Sequence, residues 1–242
     1  VPRTLDDICW PAGVPWSYSA LTQFESCELQ YGAIQVLRQF EADFDSDALR
    51  MGNEQHRLLE RFVSVGETLP PGLTPVGEVV KKMMQGATRI MTEAKLSLTH
   101  EIKPCRSNDP DVSYRGKLDL VILRPTNQSI IVDYKSSSEP REDFEQLELN
   151  AMAHLISHPE VTRAHCYYLY TRGFPPRKTV VDRGELPALA NSYIPRLKRL
   201  GDARSTKIFS ASPYYGCRWC PVITCIHNPK AIHSVQGTRT KQ

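Results

Sequence analysis

Three polar residues stand where the surrounding sequence is apolar. Asp119 sits between Leu118 and Leu120 in VSYRGKLDLVIL, and Asp133 and Lys135 end the run SIIVDYK. Residues two apart on a strand project from one face, so Asp133 and Lys135 face the same way. Antiparallel pairing of the two segments brings Asp119 beside them. Two carboxylates with a nearby ammonium form a site for a hard divalent cation, Mg²⁺ or Mn²⁺. A lysine there can orient a water, lower its pKa or stabilise charge developing on a phosphate. The plainer reading of any lone Asp-x-Lys is a surface ion pair. Ile130, Ile131 and Val132 argue against it, because a continuous apolar run suits a strand buried on both faces.

The cysteines form a second constellation. The chain has seven, and Cys217, Cys220 and Cys225 are grouped as Cys-x₂-Cys-x₄-Cys. Two thiolates with two residues between them bind one centre from a tight turn. An odd count is unlike a disulfide framework. His227 completes a local Cys₃His zinc site, and Cys27 completes a four-cysteine site between the N-terminal helix and the C-terminal region. Both completions are open from spacing alone. Cys166 reads as a core residue, and Cys9 and Cys105 have no evident role.

The elements that position these residues follow from hydrophobic period and turn signals. Helices are predicted from Ser17, with Ser17 or Ser19 as N-cap and an interruption near Ser26 and Cys27, then over Asp47–Val65 and about Val76–Thr92. Strands are predicted at LSLTHEIKP (96–104), at 112–123, at SIIVDYKS (129–136) and at 164–172, with RPTNQ as the turn between the second and third. A helix is expected from Arg141 to Ser157, and another from Leu186 to Leu200 that Pro195 breaks or kinks. The pattern predicts an α/β fold in which helices flank a mixed central sheet.

With these motifs on the page, GKLDLV followed by IVDYKSSS resembles the core of the PD-(D/E)XK nuclease superfamily, in its RecB-like branch. The resemblance implies a restriction-endonuclease-like core and a metal-dependent phosphodiesterase centre at Asp119, Asp133 and Lys135. It implies that His56, in the segment GNEQH, is a metal ligand, and that Tyr134 offers only its backbone carbonyl. Gln146, in QLELN, matches the glutamine that supports the lysine or contacts DNA, and Asn150 stands where the family carries a tyrosine.

The same resemblance extends to four-cysteine iron–sulfur exonucleases of the CRISPR-associated type. They carry one cysteine before the histidine helix and three after the core, here Cys27 and then Cys217, Cys220 and Cys225. It implies a structural 4Fe–4S cluster, in preference to zinc at Cys217, Cys220, Cys225 and His227. Glu28 replaces a proline common after the first cysteine, and the last gap is one residue shorter than usual. The implied domain plan is one nuclease domain over residues 1–230, with its core at about 95–172, a metal-stapled helical cap and a polar tail at 231–242.

Composition is that of an ordinary soluble globular chain, with 40% hydrophobic and 24% charged residues. A net charge of +3 is compatible with nucleic acid without arguing for it. No apolar run reaches the roughly 18–20 residues of a membrane span, and no secretory leader is visible, so an intracellular, cytoplasmic or nucleoid-associated protein is expected. Basic groups at Arg172–Arg177–Lys178 and Arg196–Lys198–Arg199–Arg204 can track a phosphate backbone, and one of Tyr167, Tyr168 and Tyr170 can stack a base. The expected activity is an exonuclease acting on single-stranded DNA or DNA ends, with a helicase or recombination partner conceivable. The alternatives are a catalytically silent DNA-binding partner protein of the same fold and a zinc-containing interaction module.

Overall fold

A computed structural model describes residues 4–41 and 47–231. The polar tail lies, from residue 232 on, outside the described residues. In chain order the helices are α1 (Tyr18–Ser26), α2 (Glu28–Tyr31), α3 (Asp47–Val65), α4 (Thr74–Met84), α5 (Glu145–Ser157), α6 (Leu186–Ser192) and α7 (Ile194–Thr206). The strands are β1 (Arg89–Thr99), β2 (Val112–Leu123), β3 (Gln128–Lys135), β4 (Arg163–Tyr170) and β5 (Arg177–Asp182). The chain divides into two compact units, Val1–Pro15 with Asp45–Ile194, and Trp16–Phe44 with Pro195–Gln242.

The first unit is built on one five-stranded sheet in the order β1-β2-β3-β4-β5. Its pairs are antiparallel except β3 with β4, which are parallel and joined through α5. That is the α/β architecture with a mixed sheet expected from the sequence. Leu59 of α3 and Val76 and Val80 of α4 pack with Leu120, Ile122, Val132, Tyr134 and Leu169 of the sheet. This apolar contact fixes α3 against the strands that carry the acidic residues.

Several boundaries differ from the sequence expectation. The third helix stops at Met84 instead of Thr92, because Gln85 leaves helical geometry and Gly86 adopts φ +71°. Residues 89–92 then pair with β2, from Arg89↔Leu123 to Thr92↔Leu120, so the sheet claims apolar residues whose spacing also suits a helix. Helix α5 begins at Glu145, whose N–H donates to Asp143 Oδ1 at 3.2 Å, and not at Arg141. The expected break at Pro195 is complete: α6 ends at Ser192 and α7 begins at Ile194. Pro195 thus sits in a first helical turn, where its missing N–H costs no helical hydrogen bond. Strand β5, RKTVVD, was not foreseen, being short and charged at both ends.

The second unit holds α1, α2 and α7 with the cysteine-rich segment. Ser17 Oγ caps α1 by accepting the Ala20 N–H, and Cys27, in an extended conformation, separates α1 from α2. Arg196 of α7 grips Glu25 through two hydrogen bonds of 2.6 Å, Arg199 pairs with Glu28 at 3.0 Å, and Arg204 donates to the Tyr31 hydroxyl. This basic group therefore holds the unit together. Gly32, in a π-helical turn over Gly32–Val36, lies where a Cβ would fall 2.3 Å from the Phe209 ring.

His154 of α5 is 0% exposed, and neither ring nitrogen has a hydrogen-bond partner. Burial, with smaller contributions from His158 and Arg183, pushes its pKa from 6.5 down to about 3. As pH falls below the ordinary histidine value, the unfolded chain takes up this proton first, so stability is lost between about 6.5 and 3. Urea denaturation over that range should show this loss, steepest at about 1.4 kcal/mol per pH unit for one group. A His154→Leu variant should show a slope shallower by that amount. Identical slopes would contradict a neutral buried imidazole.

Candidate active site

The β2–β3 ladder runs from Leu123↔Ser129 to Leu120↔Val132 and ends one pair short of Asp119 and Asp133. Where it ends, the Asp119 carboxylate takes over as acceptor and receives the Tyr134 backbone N–H at 2.9 Å. Both carboxylates are nearly enclosed, Asp119 at 9% and Asp133 at 6% exposure. Burial pushes the Asp133 carboxyl above the usual carboxylate range. Lys135 opposes that shift, and the negative charge of Asp119 adds to it.

Lys135 ends β3 with its ammonium 2.9 Å from Asp133 Oδ1 and 3.0 Å from Gln146 Oε1. The lysine also lies 5.1 Å from the centre of the Tyr168 ring. Gln146 belongs to the first turn of α5, so the crossover helix meets the strand end through this amide. The amide oxygen also accepts from Arg141 Nη1 at 3.1 Å. Both donors carry only hydrogens, which orients the carboxamide with its oxygen toward them.

His56 arrives from α3. Its Nδ1 stands 3.3 Å from Asp119 Oδ2, and its ring meets the Tyr134 ring edge-on with centroids 5.9 Å apart. Burial works to lower the His56 pKa. The hydrogen bond and charge of Asp119, joined by Asp133, outweigh it, and the imidazole is held above its ordinary value. The spacing Gly52-x₃-His56 has a steric reason, since a Cβ on Gly52 would lie 2.8 Å from Ser136 Oγ, just past Lys135. One residue before the histidine, Gln55 accepts from the Thr171 hydroxyl at 2.7 Å, and the Thr171 N–H donates to the Lys135 carbonyl at 2.9 Å.

His56, Asp119, Asp133, Lys135 and Gln146, together with the Tyr134 backbone, thus meet at one end of the sheet. Sequence reading missed the Gln55–Thr171 bridge and Arg141, since ordinary polar residues in a helix and a loop carry no local signal. Asn150, which stands where the resemblance expects a tyrosine, is 3% exposed and accepts from the Tyr114 hydroxyl at 2.6 Å inside the unit. Gly116 makes room for that pair, because a Cβ there would lie 2.5 Å from the Tyr114 oxygen and 2.7 Å from Asn150 Oδ1. Tyr168 and Tyr170 are buried and Tyr167 is half-buried against the core, so none presents a free face for a base.

In the second unit Cys27, Cys217, Cys220 and Cys225 line one small cavity with Tyr214 and Asn228, and His227 is not among its walls. The Tyr214 N–H points at Cys217 Sγ, 3.4 Å away. Asn228 donates to the carbonyls of Cys220 and Val222 at 2.9 and 3.0 Å, which fixes the turn between the thiols. Burial pushes the Cys220 thiol up, the Val222 backbone opposes this, and the other three thiols add to it. Cys166 is buried as expected. Among the described residues no group of three or more His, Cys, Asp or Glu side chains is set to hold a metal ion, and no helix is long and apolar enough to cross a membrane.

A Tyr114→Phe variant tests the buried pair. It should lose about 1–3 kcal/mol of stability in chemical denaturation, since the Asn150 oxygen stays buried without its donor. A loss below about 0.5 kcal/mol would mean that the hydrogen bond contributes little.

Comparison with known proteins bears on the fold and the family. No curated protein matches the chain. Among solved structures, a "Putative exonuclease" from Eubacterium rectale aligns with a TM-score of 0.51 at 12% identity, covering 94% of this chain and 89% of its own. SSO0001 aligns with a TM-score of 0.44 at 12% identity, covering 88% of this chain and 87% of its own. At such identity the first likeness speaks for the fold alone. The model of the PD-(D/E)XK nuclease superfamily matches residues 15–225, a span that includes His56, both aspartates, Lys135, Gln146 and all four grouped cysteines. The chain belongs to the PD-(D/E)XK nuclease superfamily.

Proposed function

We propose that this protein is a divalent-metal-dependent deoxyribonuclease of the RecB-like branch, acting as an exonuclease on single-stranded DNA or DNA ends. The observation that carries the reading is the meeting of His56, Asp119, Asp133 and Lys135 at one sheet end, with Lys135 braced by Gln146.

By chemistry these oxygen and nitrogen donors suit a hard divalent cation, although no three of the side chains are already set around one point. Two nearly buried carboxylates lie together; burial, with the Asp119 charge adding to it, raises Asp133, and against burial the two carboxylates hold His56 above its ordinary value. Asp119 and Asp133, with His56 and the Tyr134 carbonyl, would hold Mg²⁺ or Mn²⁺, which when bound supplies positive charge at the phosphate. The protein's own part is orientation. Lys135 donates to a water or a non-bridging phosphate oxygen, and Gln146 keeps the ammonium from swinging away. The water attacks phosphorus in line with the leaving sugar oxygen, so one P–O bond forms as the other breaks. Thr171 and Gln55 keep the histidine helix and the lysine strand in register.

The test is cleavage of end-labelled single- and double-stranded DNA with Mg²⁺, Mn²⁺ or EDTA, by the native chain and by Asp119→Asn and Lys135→Ala variants. Cleavage that needs the metal should fall at least about a hundredfold in each variant. DNA binding without cleavage in either metal would replace the enzyme with a silent DNA-binding protein of the same fold.

For the second unit we propose a structural 4Fe–4S cluster on Cys27, Cys217, Cys220 and Cys225. The shared cavity and the position of His227 outside it support this set over zinc on Cys217, Cys220, Cys225 and His227. Anaerobically purified protein should be brown and contain iron and acid-labile sulfide, and Cys27→Ser should lose both. Stoichiometric zinc that survives Cys27→Ser and is lost in His227→Ala would establish the zinc site instead.

A further inference from the structure

The loop before α5 and the first residues of β5 carry two arginines that the proposed reaction does not use. Arg141 shares the Gln146 oxygen with Lys135, and its guanidinium lies 5.9 Å from the centre of the same Tyr168 ring. The Phe144 ring stacks on Tyr168 with planes 10° apart and centroids 5.9 Å apart. Arg177 lies 4.8 Å above Phe144 and donates to the Glu142 carbonyl at 3.1 Å. The result is a row in which Lys135, Arg141 and Arg177 are carried on two stacked aromatic rings.

Packing alone explains this row poorly. Among the described residues Arg177 makes no ion pair. Arg141 has Asp143 at 3.4 Å, a carboxylate 53% exposed, and exposed pairs of this kind contribute little. The guanidiniums are nonetheless ordered by ring contact and by carbonyl or amide acceptors. Such ordering lowers the entropy cost of gripping an anion, and the planar fork of arginine matches phosphate oxygens. Pre-ordered cations running out from the lysine suit a polyanion that begins at the lysine.

We propose that Arg141 and Arg177 bind the backbone phosphates next to the scissile one, so that the substrate strand runs from Lys135 past Arg141 to Arg177. This rests on the nuclease reading for the place of the scissile phosphate. The stacked rings serve as the platform for the cations and do not stack bases. Recognition along the row is therefore by charge, without sequence preference.

Binding is measured in the full-length chain carrying Asp119→Asn, which separates it from cleavage. The probe is a fluorescent single-stranded oligodeoxynucleotide titrated at several salt concentrations. Arg141→Ala and Arg177→Ala should each weaken binding roughly tenfold. Each should also reduce the slope of log affinity against log salt by about 0.7, the value for one phosphate contact on a single strand. Oligonucleotides with single uncharged methylphosphonate linkages supply a readout independent of variant folding. Neutralising the linkage that faces Arg177 should weaken binding to the parent protein and have no further effect on Arg177→Ala. The same holds for Arg141 at the neighbouring linkage.

Unchanged slopes with additive losses at every linkage would overturn the proposal. So would full affinity in the double arginine variant. These slope changes in the Asp119→Asn background, beside a protein with native Asp119 that never cuts in Mg²⁺ or Mn²⁺, would keep the phosphate row and remove the nuclease reading. A parent protein that cuts DNA with no arginine effect on binding would do the reverse.

Discussion

Two carboxylates held nearly out of water at the end of one strand pair are the constraint that the site is built around. Removing a charge from water is costly unless something opposes it, and here the second charge has the same sign. The surroundings answer in several ways. Asp119 accepts a backbone N–H where the ladder would otherwise continue, Asp133 takes the ammonium of Lys135, and His56 leans on Asp119 with a raised proton affinity. Each leaves the pocket short of positive charge. Under the proposed function, a divalent cation and the phosphates it attracts would answer that charge.

The frame around the carboxylates is correspondingly stiff. The α3 helix is pressed on the sheet by Leu59 and held at the strand end by Gln55 and Thr171, and Gly52 allows its close approach to Ser136. On α5 the amide of Gln146 ties Lys135 and Arg141 together, while Tyr114 and Asn150 close the buried side. The residue that departs from the family's pattern, Asn150, thus meets its tyrosine from another strand. Its role is packing, and the lysine is steadied by Gln146 without it.

The second unit follows a different logic. Its helices are held by charged pairs, Glu25 with Arg196 and Glu28 with Arg199, and its thiols gather round a cavity whose turns are fixed by Asn228. Burial raises the Cys220 thiol, and the three thiols that share its small enclosure add to that shift. A cluster there would tie Cys27, between α1 and α2, to the cysteine-rich segment.

By itself the sequence determined the class of the fold and which residues are candidates for the site. Asp119, Asp133 and Lys135 were legible because charge inside an apolar strand is rare, and strand period is short enough to state which residues share a face. The 3.6-residue helical period and the turn residues located α3, the β2–β3 hairpin and the division at Pro195 equally well. Tertiary structure alone decided the end of α4, where residues 89–92 suit either a helix or a strand until β2 offers its hydrogen bonds. It decided that Asn150 faces Tyr114, that Arg196 and Arg199 serve the fold while Arg141 and Arg177 stand beside the lysine, and that Cys27 and not His227 joins the other cysteines. Those outcomes depend on partners distant in the chain. Local spacing sets which way a side chain points, whereas packing across elements sets what it meets there.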